Sequence, residues 1–139
     1  SDTYCFRSEQ VDAMRQRCRQ QPELHWMHPL LATLAMTGIR IGEAQGLRWT
    51  DVDLEAGVLH VADERASTRK RKLHNVRTTK GKRGRTIPLH PELIEVLKEA
   101  PRHVDGYLFH GPRGGRIKQD TARTILLRDV IRPLADRFP

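Results

Sequence analysis

The sequence predicts an α+β domain, mainly helical with a small sheet, and three features of its 139 residues carry that expectation. Apolar side chains recur at three- and four-residue spacing in several stretches, each bounded by Gly, Pro or a capping residue. One short β-type run, Val58-Leu59-His60-Val61, follows Gly57. A long basic segment then runs into Thr86-Ile87-Pro88-Leu89, a second short strand pattern.

In chain order, the first helix spans Ser8 to Gln20, with Ser8 as N-cap, Glu9 and Asp12 favouring the first turn, and Val11, Met14 and Cys18 along one face. After Pro22 and Glu23, the apolar stretch Leu24 to Met36 is the central buried helix, with Trp26 in the core. Gly38 can take the left-handed backbone that stops it. Arg40 then opens the next helix, where unpaired N–H groups and a guanidinium fork together suit a phosphate. Glu43 lies one turn on and is placed to hold that guanidinium in one rotamer. After the strand at Val58–Val61, the basic segment is expected to supply the other strands and their tips, with Pro88 at an edge or strand end. A helix from Pro91 to Ala100 turns Leu93, Ile94, Val96 and Leu97 inward, and Arg48, Trp49 and Tyr107 are read as packing residues. Gly111 to Arg116 is a loop without the spacing of a nucleotide-binding motif. The last helix runs from Asp120 to Ile131, and Pro133 ends it.

Composition narrows the function. Hydrophobic residues make up 37% of the chain and aromatics 5%, enough for one compact domain filled by aliphatic side chains. No run reaches the roughly 20 apolar residues of a membrane span, and no signal-peptide pattern opens the chain, so a soluble intracellular protein is expected. Cys5 and Cys18 form no secreted disulfide pattern. Of the 25 Lys and Arg, ten fall between Arg65 and Arg85 without one Asp or Glu, whereas the other 15 are balanced by 17 acidic residues. The net charge of +8 is therefore one local feature, the footprint of a polyphosphate binder. Its candidate DNA contacts are Arg65, Arg69, Lys70, Arg71, Lys72, Arg77, Lys82, Arg83 and Arg85.

Residues Thr37 to Asp53 read T-G-I-R-I-G-E-A-Q-G-L-R-W-T-D-V-D, and Thr78 to Leu89 read T-T-K-G-K-R-G-R-T-I-P-L. The first resembles the leading arginine box of the tyrosine recombinases, or phage-type integrases, and the second their β-hairpin lysine signature. The resemblance covers nearly the whole chain. It implies the DNA breaking–rejoining fold with a three-stranded antiparallel sheet, and strand cleavage and rejoining through a 3′-phosphotyrosine. Within the matched motifs, Arg40 corresponds to the first phosphate clamp, Lys80 to the proton donor, with Lys82 as the alternative register, and Glu43 to an active-site support. No metal or cofactor is implied. Double-stranded DNA is the partner, with a tetramer on two duplexes for complete members, a monomer for a piece this short, and a bacterial or phage setting in the cytoplasm at the nucleoid. One departure stands out: Ala62 to Thr79 places 18 residues before the lysine, which calls for an extended hairpin or a basic arm.

The family's H-x-x-R box and nucleophilic tyrosine belong after the lysine hairpin. His74 to Arg77 precedes the lysine, His110 to Arg113 falls in the Gly-rich loop, and both are read as chance matches. Tyr4 and Tyr107 come too early to be the nucleophile. Residues 1–139 are therefore expected to form the first half of a catalytic domain, binding DNA without cutting it. His25, His28 and Cys18 fall short of the paired ligands of a zinc site. Two other readings remain: a non-enzymatic basic nucleic-acid-binding module, which has no use for the spaced Arg40, Glu43 and Lys80, and a fragment of a type IB topoisomerase, which shares the chemistry.

Overall fold

The computed structural model describes residues 6–62 and 84–138. Helix α1 (Ser8–Gln20) buries Ala13, Met14, Arg15 and Cys18. Its N-terminus differs from expectation: Arg7 is the cap position, and the Gln10 side chain accepts the Arg7 N–H at 2.8 Å. The Ser8 hydroxyl has no capping role because Ser8 already lies inside the first turn.

The central helix also starts later than the apolar run. Pro22 initiates a 3-10 turn (Pro22–Leu24), whose carbonyls take the next amides, and α2 begins only at Met27 and runs to Thr37. Pro29 is tolerated in the first turn because the amide it lacks would have had no helical partner there. Gly38 ends α2 at φ 75°, its N–H donating to the Leu34 carbonyl at 3.0 Å. A side chain in that conformation is strained, which makes glycine the fitting stop. Trp26 packs against two apolar groups at once: Leu30, Ile39, Leu59, Leu93 and Leu108 on the sheet side, and Met14, Cys18, Leu31, Leu126 and Val130 on the α1 side.

Short helix α3 (Ile41–Gln45) leads through a 3-10 turn (Trp49–Asp51) to the sheet. The sheet has the order β1 (Val52–Asp53), β2 (Val58–Val61), β3 (Arg85–Pro88), antiparallel throughout. Three antiparallel strands are as expected, but their source is not. The sequence pattern places two of them in the basic segment; β1 instead comes from the end of the arginine box, paired Val52 to Leu59 and Asp53 to Val58. Asp53 makes this possible by closing the turn, its carboxylate accepting the Ala56 N–H and its carbonyl the Gly57 N–H. Pro88 ends β3, which is an edge strand, where the missing amide removes no ladder bond.

Helix α4 (Pro91–Glu99) buries Leu93 and Leu97, and His90 caps it by accepting the Glu92 N–H at 3.0 Å. Helix α5 (Gln119–Ile125) passes into a π-helical turn (Leu126–Ile131) and a 3-10 turn (Arg132–Leu134) instead of running as one α-helix to Ile131. Pro133 explains part of this change. In an α-helix its amide would bond the Asp129 carbonyl; having none, it leaves that oxygen to Arg17 Nε of α1, at 2.6 Å. Among the described residues, no helix is long and apolar enough to cross a membrane.

Candidate active site

Arg40 is placed by its two neighbours. Ile39 and Ile41 are 2% and 3% exposed and anchor the chain in the core, while Arg40 between them is extended, at φ −85° and ψ 154°, with an exposed side chain. It forms the N-cap of α3, as the sequence indicated. One turn on, Glu43 Oε1 accepts the Arg40 N–H at 2.9 Å.

The Glu43 carboxylate does not hold the Arg40 guanidinium, as its spacing led us to expect. It is instead clamped from two sides: by the Arg40 amide and by Arg85 in a bidentate pair, Nη1 to Oε2 at 2.8 Å and Nη2 to Oε1 at 3.0 Å. Arg85 opens β3 and its planar fork meets both carboxylate oxygens, whereas Arg40 contributes through its backbone amide. The Arg85 hydrogen bonds hold the Glu43 carboxyl below its ordinary range, against partial burial, with the Arg40 amide adding to them. The glutamate side chain is 10% exposed, and Arg85 remains 48% exposed.

Arg85 reaches this position through a close approach of backbone. A Cβ on Gly84 would collide with the Val61 carbonyl oxygen and lie 2.9 Å from the Ala62 Cα, so a side chain there would push β3 off β2. Val61 and Arg85 are register partners. Arg85 thereby brings the end of the basic segment onto Glu43. Lys80 and Lys82, and with them Arg65, Arg69, Lys70, Arg71, Lys72, Arg77 and Arg83, lie outside the described residues.

Other residues of chemical interest fall into structural roles. His110 is buried; its Nε2 sits 2.8 and 2.9 Å from the Asp105 oxygens, and its ring stacks on His103 with centroids 3.5 Å apart. These contacts hold His110 within the loop that carries His103 and Asp105. Cys18 is enclosed in apolar surroundings, and burial pushes its thiol up to about 11. His25 bonds the Arg19 carbonyl, while His28 Nε2 accepts from Arg15 Nε at 3.3 Å. Sequence reasoning missed the pairing of Arg15 with Glu92 at 2.6 Å across 77 residues, as it missed Arg85 with Glu43 across 42. No local periodicity marks such partners.

A helical core flanked by a three-stranded antiparallel sheet is a fold the chain shares with solved recombinase and integrase structures. The chain belongs to the phage integrase family, whose family profile, described as "Phage integrase family", matches residues 5–135. It is 30% identical over 114 residues to the tyrosine recombinase XerC of Xanthomonas axonopodis pv. citri, covering 73% of this chain and 32% of that protein. To the putative integrase/recombinase y4rB of Sinorhizobium fredii it is 28% identical over 110 residues, covering 73% and 30%. Among solved structures it is similar to XerA recombinase, with a TM-score of 0.67 and 20% identity over 95% of this chain and 43% of that one. It is likewise similar to the Tn1549 transposon integrase in complex with a circular intermediate DNA, with a TM-score of 0.69 and 17% identity over 97% and 46%. The chain spans about a third of the length of these curated relatives.

Proposed function

We propose that these 139 residues are part of the catalytic domain of a DNA integrase or site-specific recombinase, that they bind duplex DNA, and that they supply the first half of its phosphoryl-transfer site. The observation that carries this reading is the Arg40–Glu43–Arg85 arrangement: an exposed arginine at a helix N-terminus, beside an ionised carboxylate that locks the helix start to the sheet. A pure charge-based binder needs spread cations and no such locked corner.

In the complete protein, a tyrosine from outside these residues gives its phenolic proton to the histidine of the H-x-x-R box as its oxygen attacks the scissile phosphorus. The P–O bond to the 5′ oxygen breaks, a 3′-phosphotyrosine forms, and the departing oxygen takes a proton from Lys80. Arg40 donates to the non-bridging oxygens, where negative charge grows, and Glu43 acts on the site only through the backbone and Arg85. Complete copies assemble as tetramers on two duplexes at the nucleoid, whereas these residues alone are monomeric. Arg40→Ala in the complete enzyme tests the reading. Cleavage of a suicide substrate is expected to fall on the order of 10² to 10³ with an unchanged circular dichroism spectrum. A loss of less than tenfold would remove Arg40 from the site.

A further inference from the structure

Two arginines distant in sequence, Arg48 and Arg116, place their guanidinium carbons 4.3 and 3.8 Å from the ring centre of Tyr107. A third, Arg102, lies 4.1 Å over Trp49. The fold gathers them: Arg48 and Tyr107 are antiparallel bridge partners, and the Trp49 N–H donates to the Gly106 carbonyl at 3.0 Å. Arg48 Nη2 donates to the Tyr107 hydroxyl at 2.9 Å, and Arg116 Nη2 to the Gln45 carbonyl at 3.2 Å. All three arginines are exposed, and among the described residues none forms an ion pair with a carboxylate.

A guanidinium lying over a ring has one flat face covered and its in-plane N–H donors left at the rim. Arg48 and Arg116 each commit one of these donors within the protein and keep the rest. Two cations over one ring also repel each other, and an anion at the rim relieves that repulsion. Ordered donors, fixed spacing and uncompensated charge are the properties of a phosphate contact.

We propose that Arg48 and Arg116, ordered by Tyr107, form a second phosphate-backbone contact to duplex DNA, extended by Arg102. This rests on the reading of the chain as a DNA binder. The position fits one strand: Arg40 precedes the first residue of α3, and Gln45, which Arg116 grips, is its last. That helix rises roughly 7.5 Å, a separation on the scale of neighbouring phosphates along one DNA strand. The stack therefore sets the register of a strand whose phosphate sits at Arg40, without reading its sequence.

Fluorescence anisotropy with a labelled duplex, over roughly 50 to 200 mM salt, tests the proposal on the 139-residue chain. Arg48→Gln/Arg116→Gln is expected to make the log–log salt dependence of affinity shallower by about 1 to 2. Tyr107→Leu keeps both charges, removes the platform and weakens binding. If circular dichroism shows the double variant unfolded, the single Arg116→Gln change gives the same reading at about half the size. An unchanged slope in these arginine variants, alongside a reduced slope in Lys70→Gln/Lys72→Gln, overturns the proposal and leaves the DNA-binding reading standing. Salt-independent binding by the unaltered chain overturns both.

Discussion

Arg15 is a charged residue only 4% exposed, and its two partners, Glu92 on α4 and His28 on α2, tie three helices together. His28 can accept from Arg15 only as the neutral imidazole. Burial first, and then the charge of Arg15, hold its pKa down to about 4 from an ordinary 6.5. Between those values the unfolded chain binds a proton that the folded chain does not, so stability falls as pH drops from about 6.5 to about 4. His28→Gln keeps an acceptor for Arg15 and is expected to flatten the fall in Tm across that window; an unaltered Tm profile would detach the effect from His28. At Lys80 chemistry is the better probe. Lys80→Ala in the complete enzyme is expected to lose cleavage and to regain it on a substrate whose 5′ leaving group is sulfur, which needs little protonation. Rescue of Lys82→Ala instead would move the register by two residues.

Strand β3 shows how an element can depend on a single atom. The sheet tolerates no Cβ at Gly84, because the Val61 carbonyl occupies that place. Gly84→Ala must open the β2–β3 pairing or shift Arg85 away from Glu43, and the expected cost is about 1 to 3 kcal/mol. Gly115→Ala is the matched control, since a Cβ there meets nothing within 4 Å. Equal Tm values for the two variants would refute the close-approach argument. At the other end of the chain, the change from α to π geometry at Leu126 coincides with a buried row of Ala122, Leu126 and Val130 and with Arg17 on the carbonyl that Pro133 leaves open. Tertiary contacts thus keep the chain helical through a residue that local rules mark as a stop.

Seen as a whole, the molecule is nearly neutral outside one basic segment, so its DNA affinity is expected to come mainly from phosphate neutralisation. If about three to five phosphates are engaged, the log–log salt slope is roughly −3 to −4.5. The same protein incubated with nicked duplexes is expected to give no covalent product on a denaturing gel. Tyr107 is occupied by Arg48 and Arg116, on a loop at the opposite end of α3 from Arg40, which places it poorly for attack on a phosphate held there. A shifted, protease-sensitive DNA band would show that a tyrosine within these residues is the nucleophile.

Local sequence alone is enough for the helices at Ser8–Gln20 and Pro91–Glu99, the strand at Val58–Val61, the glycine stop at Gly38 and the placing of Arg40 at a helix start. Each of these is set by short-range forces: apolar periodicity, capping chemistry and the backbone freedom of glycine act within one or two turns. The arginine and lysine motifs also made the family legible, because they are compact. Which carboxylate meets which guanidinium is settled by long-range packing. Glu43 could have faced Arg40, one turn away, but the approach of β3 gave it Arg85; Arg15 found Glu92, and Tyr107 collected Arg48 and Arg116. The edge strand Val52–Asp53 was hidden for the same reason: two residues carry no strand periodicity, and they become a strand only when β2 offers them a ladder.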